Sequence, residues 1–181
     1  MLPLLIVVSG PPGSGKTTLA HRLAATIGCP AVCRDEIKEG MVHTIPGFRP
    51  DRDDHVSRAA NGTFFTVVET LLRADVTTVA EAAFQDRLWR PGLEPLRDLA
   101  RIRILQCTVD PELAFQRSLR RSIKDQHRRA HADPAPGDAD AYLERLRAFD
   151  RVAVEGTETI EVDTTDGYRP VLDDLMAFLA P

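Results

Sequence analysis

Eight consecutive residues, Gly10-Pro11-Pro12-Gly13-Ser14-Gly15-Lys16-Thr17, could grip a triphosphate. They match GxxxxGK[ST], the Walker A pattern. Glycines at 10, 13 and 15 let the backbone turn so that successive N–H groups point inward at phosphate oxygens. A helix opening near Gly15 adds the partial positive charge of its N-terminus. Lys16 is placed to reach the β- and γ-phosphates, and the Thr17 hydroxyl to ligate Mg²⁺. Ser14 and Thr18 complete the phosphate-binding stretch. Together these residues imply a nucleoside triphosphate, with Mg²⁺, as ligand. No NKxD-type base-reading pattern follows, which weakens GTP and leaves ATP as the expected nucleotide. An AAA-type motor would show an apolar strand ending in Asp-Glu and a longer chain. Here the corresponding stretch, TTVAEAAF, carries Glu81 alone. A small chain with this loop and no switch machinery points to phosphoryl transfer.

Four stretches resemble the small P-loop kinases related to phage-type polynucleotide kinase, chloramphenicol phosphotransferase and the zeta toxins. They are GPPGSGKTTLA at 10–20, CRDEIKEGM at 33–41, the strand end at 81–84 with the arginines after it, and the arginine-rich helix at 115–129. The first is the most specific. In that family an Asp just after the second strand acts on the acceptor hydroxyl, and Asp35 matches its position. A carboxylate there would orient an attacking alcohol and accept its proton. Asp35 also reads as a helix N-cap opening residues 36–41, and the two roles are compatible. Arg34 beside it is either a substrate contact or a surface charge. The resemblance makes the basic helix a lid at about 115–138. Arg117 and Arg121 match its phosphate-gripping pair, with Arg121 also stabilising transition-state charge. Arg120, Arg128 and Arg129 stand in reserve, and His131 and Asp133 could tie the lid together.

Glu81 lies where α/β sites form, at the C-terminal end of a strand. It could bind substrate, hold Mg²⁺ through water, or be a buried structural carboxylate. Arg87 and Arg90 sit where relatives place a substrate-binding arginine, and Trp89 between them reads as packing. The loop 163–167, DTTDG, would put Thr164 beside the adenine, or form a simple turn. By resemblance, residues 41–60 and 84–92 line the acceptor pocket, bringing His43, Phe48, Arg49, Arg52, Asp53, Asp54 and His55. Mixed polar residues of this kind suit a hydroxylated or cationic small molecule such as a sugar, nucleoside or antibiotic-like compound. A polynucleotide would want a basic groove with stacking aromatics.

These residues need a scaffold. Residues 4–8 (LLIVV) form a continuous apolar run, as in a parallel strand buried on both faces. Leu19, Leu23 and Ile27 mark a helix face that ends at Gly28. Further strands are expected at 31–33, 76–80, 102–109 and 159–162. Helices are expected at 55–72, 93–100, from Asp110-Pro111-Glu112 through the basic segment, around Tyr142, Leu146 and Phe149, and at 171–179. Residues 43–54 and 132–138 read as loops. Strands alternating with helices imply an α/β fold, a three-layer P-loop NTPase with a five-stranded parallel sheet and a helical arginine-rich lid.

The chain's 181 residues fit one domain, 1–181. Charge is unevenly spread. Residues 117–129 hold six basic residues against one acid, while the rest of the chain carries a net −9. With aromatics at 6%, that argues against a nucleic-acid surface, and a polynucleotide 5′-kinase ranks below a small-molecule kinase. The basic stripe of Arg117, Arg121, Lys124 and Arg128 is either a solvated face or an anion clamp. Few acids offset it, which favours the clamp. A non-catalytic, nucleotide-dependent binding module is the reading outside enzymology. No run is long enough to span a bilayer. Cys29, Cys33 and Cys107 form no paired framework and read as reduced thiols of a cytoplasmic protein, monomeric or homodimeric.

Overall fold

The computed structural model describes residues 2–51 and 54–180. Five strands, β1 (Leu4–Ser9), β2 (Ala31–Cys33), β3 (Thr78–Ala82), β4 (Arg101–Thr108) and β5 (Glu158–Asp163), form one parallel sheet in the order β2-β3-β1-β4-β5. Among the described residues seven α-helices flank it: α1 (Lys16–Ile27), α2 (Arg34–His43), α3 (His55–Arg73), α4 (Asp86–Leu93), α5 (Pro111–Lys124), α6 (Ala139–Arg147) and α7 (Leu172–Leu179). This is the expected three-layer α/β fold.

The central strand, β1, is apolar from Leu4 to Val8 because both of its faces are covered. Leu5 and Val7 face Phe64, Val68 and Leu72 of α3 and Trp89 and Leu93 of α4. Leu4, Ile6 and Val8 face Leu19 and Leu23 of α1 and Leu175 and Leu179 of α7. Trp89 is fully buried among Phe64, Phe65 and Phe84, and its indole N–H donates to Ser9 Oγ at 3.0 Å. It is packing, as expected.

Three elements depart from expectation. β3 begins at Thr78, two residues later than the β-branched run suggests, and reaches Ala82. Glu81 therefore lies inside the strand, paired in register with Val8 and Cys33. The helix expected at 93–100 is instead α4, followed by a 3₁₀ turn at Glu94–Leu96. Pro91 lies inside α4, and burial of Trp89 and Leu93 holds the turn that contains it. The third departure is in the lid. Asp110 caps α5 as expected, accepting from the Leu113 N–H at 2.9 Å. The helix stops at Lys124, however, rather than running through the basic segment. Asp125, the one acid there, turns extended and accepts from the His127 N–H at 2.9 Å, starting a 3₁₀ turn over Gln126–Ala130. Arg128 thereby leaves the stripe of Arg117, Arg121 and Lys124.

Candidate active site

The phosphate loop joins β1 to α1. Gly13 and Gly15 adopt φ of 83° and 69°, in the left-handed region that glycine tolerates. A Cβ at Gly13 would lie 2.3 Å from the carbonyl oxygen of Ala114, so α5 can rest on the loop only because residue 13 has no side chain. The first turn of α1 carries no acid, and its terminus stays electropositive.

The side chains beneath the loop are linked. Lys16 Nζ donates to the Pro11 carbonyl at 3.4 Å and lies 3.7 Å from Glu81 Oε1. The Thr17 hydroxyl donates to Glu81 Oε2 at 3.0 Å. Burial raises the pKa of Glu81, and Asp35 adds to the rise, while Lys16 and the Thr17 hydroxyl oppose it. Ser14 Oγ is fully buried without a partner among the described residues.

A cavity of about 490 Å³ opens beside the loop. Gly13, Gly15 and Thr18 line one wall, Arg117, Arg120 and Arg121 another, and Thr164, Gly167 and Tyr168 the third. Thr164 ties the loop to β5: its hydroxyl donates to the Ser14 carbonyl at 2.7 Å. Arg117 in turn donates to the carbonyls of Thr164 and Thr165 at 3.0 and 3.2 Å. These residues fit a nucleoside triphosphate with Mg²⁺: a cradle too tight for a Cβ, an orphaned buried hydroxyl, one lysine and a facing set of arginines.

A second cavity, of about 290 Å³, adjoins the first. Arg121 lines both. Here Lys16 and Thr17 meet Arg34, Asp35, Lys38, Arg128, His131 and Asp133. Asp35 is the second residue of α2 rather than its N-cap, since α2 starts at Arg34 and Cys33 takes the cap position. Its half-exposed carboxylate accepts from Arg34 at 3.0 Å. Arg128 Nη1 and His131 Nδ1 each lie 3.9 Å from its other oxygen. Burial would raise the Asp35 pKa. The charges of His131, Lys16 and Arg34, with the Arg34 hydrogen bond, outweigh it and hold the carboxyl down at about 2. Arg34 is fixed in turn by Asn61 Oδ1 at 2.8 Å and the Ser57 carbonyl at 3.1 Å.

Other expected residues stand elsewhere. Arg87 and Arg90 do not line this cavity, and no residue of 84–92 does. Arg90 is paired with Asp86 at 2.5 Å, on the same helix face. Of the described residues in 41–60, only Asp51 and Ser57 reach the lining. Asp54 caps α3 through the Ser57 N–H at 2.6 Å and pairs with buried Lys38 at 2.9 Å. Arg52 and Asp53 fall outside the described residues.

One contributor, Lys38, carries no signal in the sequence: it is the third residue after Asp35 on α2. His131 Nε2 meets Glu39 Oε1 at 2.8 Å, while its other nitrogen faces Asp35. The sequence signal for His131 is its place in the HAD triplet beyond the basic helix. Its pairing with α2 needs the 3₁₀ turn that brings the chain back. Arg128 and Asp133 form a two-bond pair beside it.

The chain can be set against known proteins at this point. A family model described as AAA domain matches residues 5–149. The lone Glu81 had argued against an AAA-type motor; the match is to the domain, and residue 81 is still the single carboxylate at that strand end. A search of curated protein sequences found no significant match. Among solved structures, a candidate kinase from Chloroflexus aurantiacus aligns with a TM-score of 0.81 at 24% identity, covering 99% of this chain and 96% of the other. A sugar kinase from Janibacter sp. aligns at 0.65 and 20%, over 99% and 96%. Shikimate kinase from Acinetobacter baumannii, in complex with shikimate, aligns at 0.61 and 19%, over 99% and 94%. The chain belongs to the AAA domain family and has the P-loop kinase fold.

Proposed function

We propose that this protein is an ATP-dependent kinase that transfers the γ-phosphoryl group to a hydroxyl of a compact small molecule. One observation carries the reading: a carboxylate, Asp35, faces the phosphate lysine Lys16 in a cavity that adjoins the nucleotide cavity through Arg121. The sugar and shikimate kinases among the structural neighbours favour a small acceptor.

The larger cavity would receive the nucleotide. Backbone N–H groups of residues 13–18 would hold its phosphates, and Arg117 and Arg121 would grip them from the lid. Thr17 is the residue placed to hold Mg²⁺, with Glu81 behind its hydroxyl; the ion would supply charge neutralisation. The acceptor would sit in the smaller cavity. Asp35 accepts a hydrogen bond from its hydroxyl, orients the oxygen toward the γ-phosphorus and takes up the proton as the new P–O bond forms, the bond from phosphorus to the β–γ bridging oxygen breaks and ADP leaves with that oxygen's charge. Arg121, at the junction, stabilises the charge on the moving phosphoryl group. A cavity of about 290 Å³ suits a sugar-sized acceptor better than a polynucleotide.

Asp35→Asn should lower turnover roughly 10²–10⁴-fold while nucleotide affinity stays near normal. Acceptor-dependent ADP release over a panel of small alcohols measures the first, and titration with a fluorescent nucleotide the second. Normal turnover in the variant would remove the mechanism. Transfer of labelled phosphate to a 5′-hydroxyl oligonucleotide, with none to the small alcohols, would replace the acceptor class.

A further inference from the structure

Outside the two cavities, one more group of side chains converges. His21 lies one turn beyond Thr17 on α1, Cys33 ends β2, and Glu36 is in the first turn of α2. Their ligand atoms all lie within 4.8 Å of one another. His21 Nε2 is 2.6 Å from Glu36 Oε1 and 3.7 Å from Cys33 Sγ. We propose that His21, Cys33 and Glu36 form a binding site for a thiophilic divalent cation of the Zn²⁺ class.

The donor set selects that class. A thiolate, an imidazole and a carboxylate suit Zn²⁺ and its neighbours, whereas Mg²⁺ and Ca²⁺ want oxygen alone. Zn–S near 2.3 Å and Zn–N near 2.0–2.1 Å at a tetrahedral angle put sulfur and nitrogen about 3.5 Å apart. The separation here, 3.7 Å, is close to that without rearrangement. Glu36 stands nearer to His21 than two co-ligands would. Its side chain is half-exposed and can withdraw by less than an ångström. His21 is equally exposed, which gives the ion a way in and leaves a fourth position for water. These three residues come from three separate elements, α1, β2 and α2, that the fold brings together.

Binding exchanges one bond for another. The Cys33 S–H bond breaks, its proton passes to solvent, and a metal–thiolate bond forms; nothing is oxidised. Burial and the carboxylates of Glu81, Glu36 and Asp35 raise the pKa of the free thiol well above its ordinary value. Cys33 is paired in register with Glu81, the partner of Thr17, which sets the site next to the phosphate loop.

The test uses the full chain, with Zn²⁺ for affinity and Co²⁺ as a spectroscopic probe. Calorimetry should give one Zn²⁺ per chain. His21→Ala and Cys33→Ser should each weaken it about tenfold or more. Co²⁺ should produce a near-ultraviolet sulfur-to-metal charge-transfer band that survives in Glu36→Gln and disappears in Cys33→Ser. Thermal unfolding would check that the variants remain folded. Zn²⁺ affinity unchanged by Cys33→Ser, or a Co²⁺ spectrum without the band in the wild type, would overturn the proposal and leave His21–Glu36 as an ordinary pair between two helices.

Discussion

Asp54 shows how one carboxylate can set the shape of the acceptor cavity from outside it. It is nearly buried and holds Lys38, which lines the cavity, while capping α3. Burial would raise its pKa, but the Lys38 hydrogen bond and the backbone N–H groups of Ser57 and Asp51 prevail and hold it at about 2. A carboxyl whose pKa is lower folded than unfolded contributes stability above its unfolded pKa. That contribution is lost as pH falls through the folded value. Asn keeps the cap but strands the buried lysine. Asp54→Asn should therefore cost roughly 2–4 kcal/mol at pH 7, measured by urea unfolding. The gap to wild type should shrink from about pH 4 downward. A gap that persisted unchanged at pH 2 would assign the loss to packing. Local chemistry of this sort is only partly legible in a sequence. The phosphate loop is, because all its atoms come from one short stretch. Asp35 is, because it follows a strand. Lys38 is not: its partner Asp54 lies outside its own helix, and nothing in its neighbours announces a charge turned inward. His131 is legible only as part of the lid; its pairing with Glu39 and its place beside Asp35 need the turn that returns the chain to α2.

At the scale of elements, the contact between α5 and the phosphate loop is the tightest constraint described. Gly13 and Gly28 both adopt φ near 80°, yet only Gly13 has backbone within reach of an added Cβ. Gly28→Ala should cost about 1–2 kcal/mol, from conformation alone. Gly13→Ala should cost more than that, because α5 must also move away. It should weaken nucleotide binding, whereas Gly28→Ala should not. Unfolding and nucleotide titration of both variants would check the ranking, and equal effects would show that α5 yields freely. The lid also shows where periodicity misleads. Arg117, Arg121, Lys124 and Arg128 form a clean helical stripe on paper. Asp125 ends the helix before the last of them, and Arg128 turns to Asp35 and Asp133. Similarly, α4 hides behind two prolines, because burial of Trp89 outweighs the lost hydrogen bond of Pro91.

For the whole molecule, charge and ligand act together. Among the described residues no helix is long and apolar enough to cross a membrane, and the three cysteines are free thiols, with Cys29 only half-buried. The net charge averages an acidic body with a basic lid, and that lid faces the cavity between the loop and β5. A nucleotide there would bridge α1, α5 and the 163–167 turn. At a hundred times its dissociation constant it should add about 2.7 kcal/mol. For a chain of this size that raises the melting temperature by roughly 5–10 °C, readable by calorimetry. Lys16→Ala should abolish the shift. A nucleotide-induced shift that survived in the variant would place the ligand elsewhere.

The bond from Thr164 to the Ser14 carbonyl joins residues 150 positions apart. The loop therefore leaves the ribosome 150 residues before its support does. Residue 164 lies beyond residues 5–149, the stretch that identifies the family. A nascent or prematurely terminated chain therefore carries the phosphate-binding signature without the brace that shapes it. Competence to hold a nucleotide is acquired only when β5 docks beside β4 and closes the circuit.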